Sequence, residues 1–143
     1  MDDGASVIYW DASALISSVI MDRHSDTALA WVEKSGLHLI STLADAEISA
    51  VISRMKKEGL LTATAAQTAF ETLGGGPWRH IGILPESRTI RLLSEKWPLR
   101  GADLWHLAAA KTLHREFPEL VLLSFDQKLQ HAAEGESLGG VVV

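Results

Sequence analysis

The chain has 143 residues, of which 47% are hydrophobic, and it contains no cysteine. This length suits one domain with one substantial core, and the lack of cysteine excludes disulfides and thiolate metal sites. The net charge of −5 argues against a surface that coats nucleic acid. The acidic start of the chain lacks the basic and apolar parts of a secretory signal. No apolar run reaches the ~20 residues that cross a bilayer, so we expect a soluble, cytoplasmic protein.

Strands and helices are predicted to alternate along the first half of the chain. In order, the segments are a strand at 6–10, helices at about 13–21 and 25–35, a strand at 37–41, and helices at about 42–55 and 62–73. Ser25 is a candidate N-cap of the second helix. Thr42 and Asp45 form a capping-box pattern at the start of the third helix, which assigns Asp45 to the helix start. The three glycines at 74–76 end the fourth helix.

The second half of the chain repeats this alternation. Its segments are a strand at 80–84, a helix from Pro85 to Trp97, a helix opened by Asp103, a strand at 119–125, a helix at 126–133 and a candidate edge strand at 141–143. Pro85 suits the first turn of its helix. The repeated order of strand and helix predicts an α/β fold, an α/β/α sandwich whose central sheet is mostly parallel. Because no linker or repeat interrupts the pattern, residues 1–143 are predicted to form a single domain.

Four acidic residues occupy positions where an α/β fold collects functional groups. Asp11 and Asp126 follow apolar runs, so we place both at the carboxyl ends of buried strands, where parallel sheets bind their ligands. Glu47 lies about one turn into the third helix, and Asp103 opens the sixth. Converging carboxylates repel one another unless a hard cation such as Mg²⁺ or Mn²⁺ neutralises them. Asp11 and Asp103 are predicted to bind the metal directly, and Glu47 and Asp126 directly or through water.

Neighbouring polar residues have both site roles and simpler roles. Ser13 and Ser124 each lie two positions from one of these acids and are predicted to orient a carboxylate, a metal-bound water or a scissile phosphate. An acid after a strand is often only the N-cap of the next helix, so capping stays open as an alternative for Asp11 or Asp126. His106 is interpreted as a packed or hydrogen-bonded helix residue rather than a ligand. The six histidines show no zinc-enzyme spacing.

Four segments of the chain resemble, in the same order, the motifs of a PIN domain. They are residues 9–16, 44–48, 99–110 and 123–129. The set is similar to the VapC-type toxins of bacterial and archaeal toxin–antitoxin systems, and its strongest single piece is Asp103-x-x-His106-Leu107-Ala108. Trp105 departs from the small residue usual in the family at that position, which affects the entrance to the site.

This resemblance implies a Mg²⁺- or Mn²⁺-dependent endoribonuclease that hydrolyses RNA with a metal-activated water, leaving a 5′-phosphate and a 3′-hydroxyl. It implies a PIN-like domain as the fold, with catalytic residues Asp11, Glu47, Asp103, Asp126, Ser13 and Ser124. The partners that it implies are a VapB-like antitoxin, whose C-terminal tail blocks the acidic groove, and a second copy of the chain in a homodimer.

Three other functions share features with this sequence pattern. A haloacid-dehalogenase-like phosphatase needs a second Asp two residues after the first, where this chain has Ser13. A receiver-like signalling domain needs an acceptor Asp at the end of a middle strand, where this chain has Ser41 and Thr42. A catalytically inactive PIN fold that serves as a protein-interaction module remains the alternative, and a nuclease assay with and without Mn²⁺ distinguishes it from the enzyme.

Overall fold

A computed structural model describes residues 6–139, in which four strands form one parallel sheet in the order β3-β2-β1-β4. The strands are β1 (Ser6–Trp10), β2 (Gly36–Ser41), β3 (Trp78–Ile81) and β4 (Leu120–Leu123). The last four residues of β1 are all buried, as expected for a central strand covered on both faces. The mostly parallel sheet predicted from the alternating pattern is therefore confirmed.

Seven helices of the described region cover the two faces of this sheet. They are α1 (Ala12–Val19), α2 (Ser25–Val32), α3 (Thr42–Lys57), α4 (Ala63–Gly75), α5 (Ser87–Lys96), α6 (Gly101–His114) and α7 (Gln127–Gly135). Successive residues of β1 point to opposite faces, so Tyr9 belongs to the core formed with α5, α6 and α7, and Trp10 to the core formed with α1, α3 and α4. Within residues 6–139, no helix is both long and apolar enough to span a bilayer.

The position of β1 determines where a ligand can bind. Tyr9 pairs with Leu39 of β2 on one side and with Leu122 of β4 on the other. The chain runs outward from β1 through β2 to β3 and then returns to form β4 on the opposite side of β1. This makes the gap between β1 and β4 a switch point, and open α/β sheets bind ligands outside the carboxyl ends of the strands at such points. Asp11 and Ser124 are the residues that directly follow these two strands.

Two predicted helix caps are wrong by one residue. The N-cap of α3 is Ser41, whose hydroxyl accepts the backbone N–H of Ala44 at 3.1 Å, so Thr42 is the first helical residue instead. Ser25 is the first residue of α2, and its hydroxyl accepts from the backbone of Asp22 in the preceding turn. The N-cap position of α2 belongs to His24, whose side chain makes no capping hydrogen bond.

Other boundaries in the second half of the chain also differ from the prediction. β3 begins at Trp78, before the predicted 80–84, because Trp78 packs edge-on against Trp10 with ring centroids 5.5 Å apart. Helix α5 begins at Ser87 with Glu86 at its N-cap, so Pro85 belongs to the extended connection and not to the first turn. The edge strand predicted at 141–143 lies outside the described residues.

Candidate active site

Asp11 links the end of β1 to the start of α1. Its backbone N–H donates to the carbonyl of Leu123 in β4 at 3.2 Å, and its Oδ1 accepts the N–H of Ala14 at 2.9 Å, which caps the helix. The residue is only 2% exposed, and this burial raises the pKa of Asp11 although three hydrogen-bond donors act to lower it. Helix capping is therefore confirmed as one of its roles.

Two serines hold the Asp11 carboxylate against the end of β4. Ser13 donates to Oδ1 at 2.7 Å and Ser124 donates to Oδ2 at 2.6 Å. Ser13 also accepts the N–H of Phe125 at 2.9 Å, and Ser124 accepts that of Asp126 at 3.1 Å. These bonds join the first turn of α1 to the loop after β4 across the switch point. A carboxylate oxygen accepts two bonds, so the Ser124 bond leaves one lone pair of Oδ2 for a metal ion.

Asp103 and Asp126 contribute negative charge to the same region. Asp103 lies in the first turn of α6, and Asp126 caps α7 by accepting the N–H of Leu129 at 3.0 Å. The pKa of Asp103 is raised, chiefly by burial and next by the charge of Asp126, with a further contribution from Glu47. The acids of the β4–α7 loop, α6 and α3 therefore lie within electrostatic reach of one another.

Glu47 is held by a buried histidine. The Nε2 atom of His106 lies 2.7 Å from Glu47 Oε1, and the Nδ1 atom lies 2.6 Å from the phenol oxygen of Tyr9. The His106 side chain is 1% exposed, whereas 29% of the Glu47 side chain faces solvent. The interpretation of His106 as a hydrogen-bonded helix residue is confirmed, and its partner is one of the four predicted site acids.

A cavity of about 500 Å³ opens beside these acids. Asp103 and Asp126 line it together with three basic residues, Arg23, Arg100 and Lys128. Cations beside carboxylates suit a ligand whose phosphates contact both the protein and a metal ion held by the acids. The basic groups most evident in the sequence, at 54–57 and 88–91, are absent from the lining of this cavity.

The donor set fits a hard divalent cation that keeps part of its water shell. All four acids offer carboxylate oxygens, and the pKa of Asp103 is raised by burial first and then by the neighbouring charge of Asp126. Among residues 6–139, however, no three His, Asp or Glu side chains form a group able to hold an ion. Mg²⁺ commonly uses only one or two protein carboxylates, with water and substrate phosphate completing its octahedron. The arrangement therefore suits a hydrated ion and not a cage made only of protein ligands.

Of the six predicted site residues, two line the cavity, Asp103 and Asp126, and four lie outside its lining, Asp11, Glu47, Ser13 and Ser124. Ser13 and Ser124 orient a carboxylate, one of the roles predicted for them, and that carboxylate is Asp11. Asp45 faces His80 at 3.9 Å, where both side chains are exposed. The capping box assigned to Asp45 is wrong, because Ser41 supplies the cap.

Sequence reasoning missed Tyr9 and the three basic residues of the cavity. Arg100 had a recognisable signal, because it is the N-cap residue of the helix whose first turn carries Asp103. Tyr9 had none, since it lies within an apolar strand and its partner His106 is 97 positions away. Arg23 lies in the connection between α1 and α2, where no spacing relates it to the acids.

Comparison with known proteins supports this assignment of the fold. The PIN domain family matches residues 8–135 of the chain. Ribonuclease VapC35 from Mycobacterium tuberculosis is 28% identical over 140 residues, covering 94% of this chain and 96% of that protein. The crystal structure of PAE2754 from Pyrobaculum aerophilum superposes with a TM-score of 0.63 and 21% identity, over 92% of this chain and 84% of that one. The crystal structure of M. tuberculosis VapC20, a sarcin-ricin loop cleaving toxin, superposes with a TM-score of 0.60 and 16% identity. The match covers 87% of this chain and 94% of that one.

The two solved structures bear on the fold alone, because their sequences are only 21% and 16% identical to this one. The family match is broader evidence. It spans the whole sheet from β1 to β4 apart from the first residues of β1, and it includes the four site acids, from Asp11 to Asp126. The chain belongs to the PIN domain family.

Proposed function

We propose that this chain is a Mg²⁺- or Mn²⁺-dependent endoribonuclease, the toxin of a VapBC-type toxin–antitoxin system. The observation that carries the proposal is one cavity in which Asp103 and Asp126 lie beside Arg23, Arg100 and Lys128. Acids supply metal ligands and cations supply phosphate contacts, so the cavity suits a polyanionic substrate cleaved at phosphorus. The relative VapC35 is named a ribonuclease, which supports RNA as that substrate.

The bound ion supplies an activated water and neutralises charge on the phosphoryl oxygens. Asp11, Asp103, Glu47 and Asp126 are the residues that would hold it. Asp11 is fixed by two serine hydroxyls and a backbone N–H, so its carboxylate keeps its orientation when a cation arrives. Burial, and next the charge of Asp126, raise the pKa of Asp103, and a cation beside these two carboxylates would offset their repulsion. The family resemblance predicts products with 5′-phosphate and 3′-hydroxyl ends.

The basic residues of the cavity are proposed to bind phosphates on either side of the cleaved bond. Phosphate contacts position a nucleic acid without reading its sequence. With a net charge of −5, the chain confines its attraction for RNA to local groups such as these and does not spread it over the surface. Replacing Arg100 or Lys128 with alanine is therefore expected to raise KM for RNA more than it lowers kcat.

The partners are proposed on the same electrostatic grounds. A VapB-like antitoxin is expected to place its C-terminal tail in this cavity, where a basic side chain pairs with the carboxylates of Asp103 and Asp126, which otherwise repel one another. We further propose that the protein is a cytoplasmic homodimer, as the family resemblance implies.

Cleavage of single-stranded RNA by the full chain tests the proposed function. Wild type is expected to cleave with Mn²⁺ and to lose activity when the ion is chelated. Asp103→Asn should abolish cleavage, because it removes a ligand charge with little change in volume. Asp45→Asn is the matched control, since this acid of α3 faces His80 away from the other acids, and it should keep the wild-type rate.

Growth of bacteria that express the chain separates the enzyme from an inactive interaction module. Soluble wild-type protein should arrest growth, and co-expression of the antitoxin encoded beside it should restore growth. If abundant wild-type protein neither slows growth nor cleaves RNA with Mn²⁺, the interaction module is the correct function.

A further inference from the structure

A buried chain of hydrogen bonds crosses the fold and ends at Glu47. It begins at the phenol of Tyr9 in β1, beside the Ser41 side chain at the end of β2. The phenol oxygen lies 2.6 Å from His106 Nδ1 in α6, and His106 Nε2 lies 2.7 Å from Glu47 Oε1 in α3. Ser41, Tyr9 and His106 are almost fully buried, so water does not compete for the bond between Tyr9 and His106.

When the His106 ring is neutral, its two hydrogen-bond partners fix the order of the protons in this chain. A carboxylate brings no proton to the short contact with His106, so Nε2–H must be the donor to Glu47. In the neutral ring Nδ1 is then the acceptor, and the phenol of Tyr9 donates to it. Burial raises the pKa of Tyr9 well above its ordinary value, which keeps this phenol protonated as the donor requires.

We propose that His106 is a positioning residue, which holds the Glu47 carboxylate through Nε2–H in the orientation that a divalent cation needs. This inference rests on the proposed function, since it concerns how the metal-binding acids are arranged. Glu47 is suited to such control because a Glu side chain has several rotatable bonds and 29% of this one remains exposed. One oxygen is engaged by a rigid buried ring, so the freedom of the carboxylate is reduced before metal binds.

The position of His106 also relates two of the predicted ligands to each other. His106 lies three residues after Asp103 on α6, so both side chains project from the same side of that helix. The bond from His106 to Glu47 therefore ties the acid-bearing turn of α6 to α3. Hydrogen bonds of this kind to metal ligands contribute about 10–100-fold to metal affinity or activity.

A second buried histidine provides a matched control. His38 accepts the indole N–H of Trp10 at 3.0 Å through Nδ1, and its Nε2 lies 2.9 Å from the carbonyl of Lys34. It is 2% exposed, with both ring nitrogens engaged, yet neither partner is an acid. Substituting His38 therefore reproduces the structural cost of losing a buried, doubly bonded ring and leaves the metal-binding acids untouched.

Titration calorimetry of the full chain with Mn²⁺ tests the inference without relying on catalysis. His106→Leu is expected to weaken Mn²⁺ binding by about 10–100-fold. His106→Gln should recover much of that loss, because the glutamine amide can place an N–H near the position of Nε2. Tyr9→Phe removes only a hydroxyl and should weaken binding by a smaller factor. His38→Leu should bind Mn²⁺ like wild type even if its melting temperature falls.

The outcomes separate this inference from the proposed function. If wild type binds Mn²⁺ and cleaves RNA while His106→Leu and Tyr9→Phe, both folded, match its affinity, the positioning role is refuted and the nuclease stands. Equal losses in His106→Leu and His38→Leu also refute it, because the effect is then general to buried histidines. If wild type itself neither binds Mn²⁺ nor cleaves RNA, the proposed function fails and the positioning role fails with it.

Discussion

Replacing Glu136 with Gln should destabilise the fold strongly at neutral pH and weakly in acid. Glu136 follows α7, and 5% of it is exposed. Its carboxylate lies 3.0 Å from Lys96 Nζ and 2.9 Å from Lys111 Nζ, and it accepts the indole N–H of Trp97 at 2.9 Å. It therefore joins the end of α7 to the C-terminal part of α5 and to α6. Glutamine fits the same space, but it has one acceptor oxygen and no charge.

The pKa of Glu136 gives the size of this effect. Burial alone would raise it, but the bonds from Lys111, Trp97 and Lys96 outweigh burial and lower it from 4.5 to about 2. The difference between these two pKa values corresponds to roughly 3.4 kcal/mol, since a tenfold change in an equilibrium constant is about 1.36 kcal/mol. The Lys96 side chain is 61% exposed, so solvent screening reduces the charge contribution, and about 2 kcal/mol is a reasonable expectation at pH 7.

The sign of the pH dependence follows from the lowered pKa. This contribution is fully present above the unfolded-state pKa of 4.5 and is lost as pH falls towards the folded-state value of about 2. Urea unfolding of wild type and Glu136→Gln at pH 7 and near pH 3 should show a gap that shrinks in acid to less than half. Glu86→Gln is the control, because its pair with Arg115 is 3.4 Å long and largely exposed and should contribute little. A gap that is equal at both pH values would refute the charge argument and indicate packing instead.

Two further predictions concern the site and a close helix contact. Asp103→Asn should stabilise the metal-free fold, because the pKa of Asp103 is raised in the folded state and the fold therefore loses stability as pH rises through that pKa. In thermal melts near neutral pH, Mn²⁺ should raise the melting temperature of wild type. A less stable Asp103→Asn with no Mn²⁺ shift in wild type would make these acids structural. Gly135→Ala should lower the melting temperature, because the added Cβ would overlap the Trp97 ring. Gly74→Ala is the control: its Cβ meets open space in α4, so this change should be neutral or stabilising by about 0.5–1 kcal/mol. Equal shifts in the melting temperatures of the two variants would contradict the contact between Gly135 and Trp97.

The sequence predicted the fold class and the location of the acids because both are encoded locally. Buried strands of a parallel sheet appear as continuous apolar runs, and β1 and β4 both do so. The residue after such a run lies at the carboxyl edge of the sheet, where ligands bind, and for this reason the sequence alone predicts the position of Asp11. Glu47 was placed by the helix that carries it, which follows β2 without a loop.

The contacts that organise the site were not predictable in the same way. His106 and Tyr9 are 97 residues apart, and Glu136 and Lys96 are 40 apart, so no periodic pattern relates either pair. The cap of α3 shows a different limit. Ser41 and Thr42 are both suitable caps, and the choice depends on where β2 ends, which is set by the pairing of Ser41 with Ile81 in β3.

Helix capping and metal binding were treated as competing roles for Asp11 and Asp126, yet the geometry makes them compatible. In both residues Oδ1 accepts the helix N–H, and Oδ2 takes no part in the cap. Asparagine keeps the capping oxygen and removes the charge, and at Asp11 the Ser124 hydroxyl can rotate to accept from the new amide. Alanine removes both roles and should cost about 1 kcal/mol of stability through the lost cap. Asp126→Asn therefore removes only the charge, whereas Asp126→Ala removes both the charge and the helix cap. Comparing the melting temperatures and RNA cleavage rates of the two variants measures each role separately. A loss of cleavage seen only with alanine would show that Asp126 serves solely as a cap.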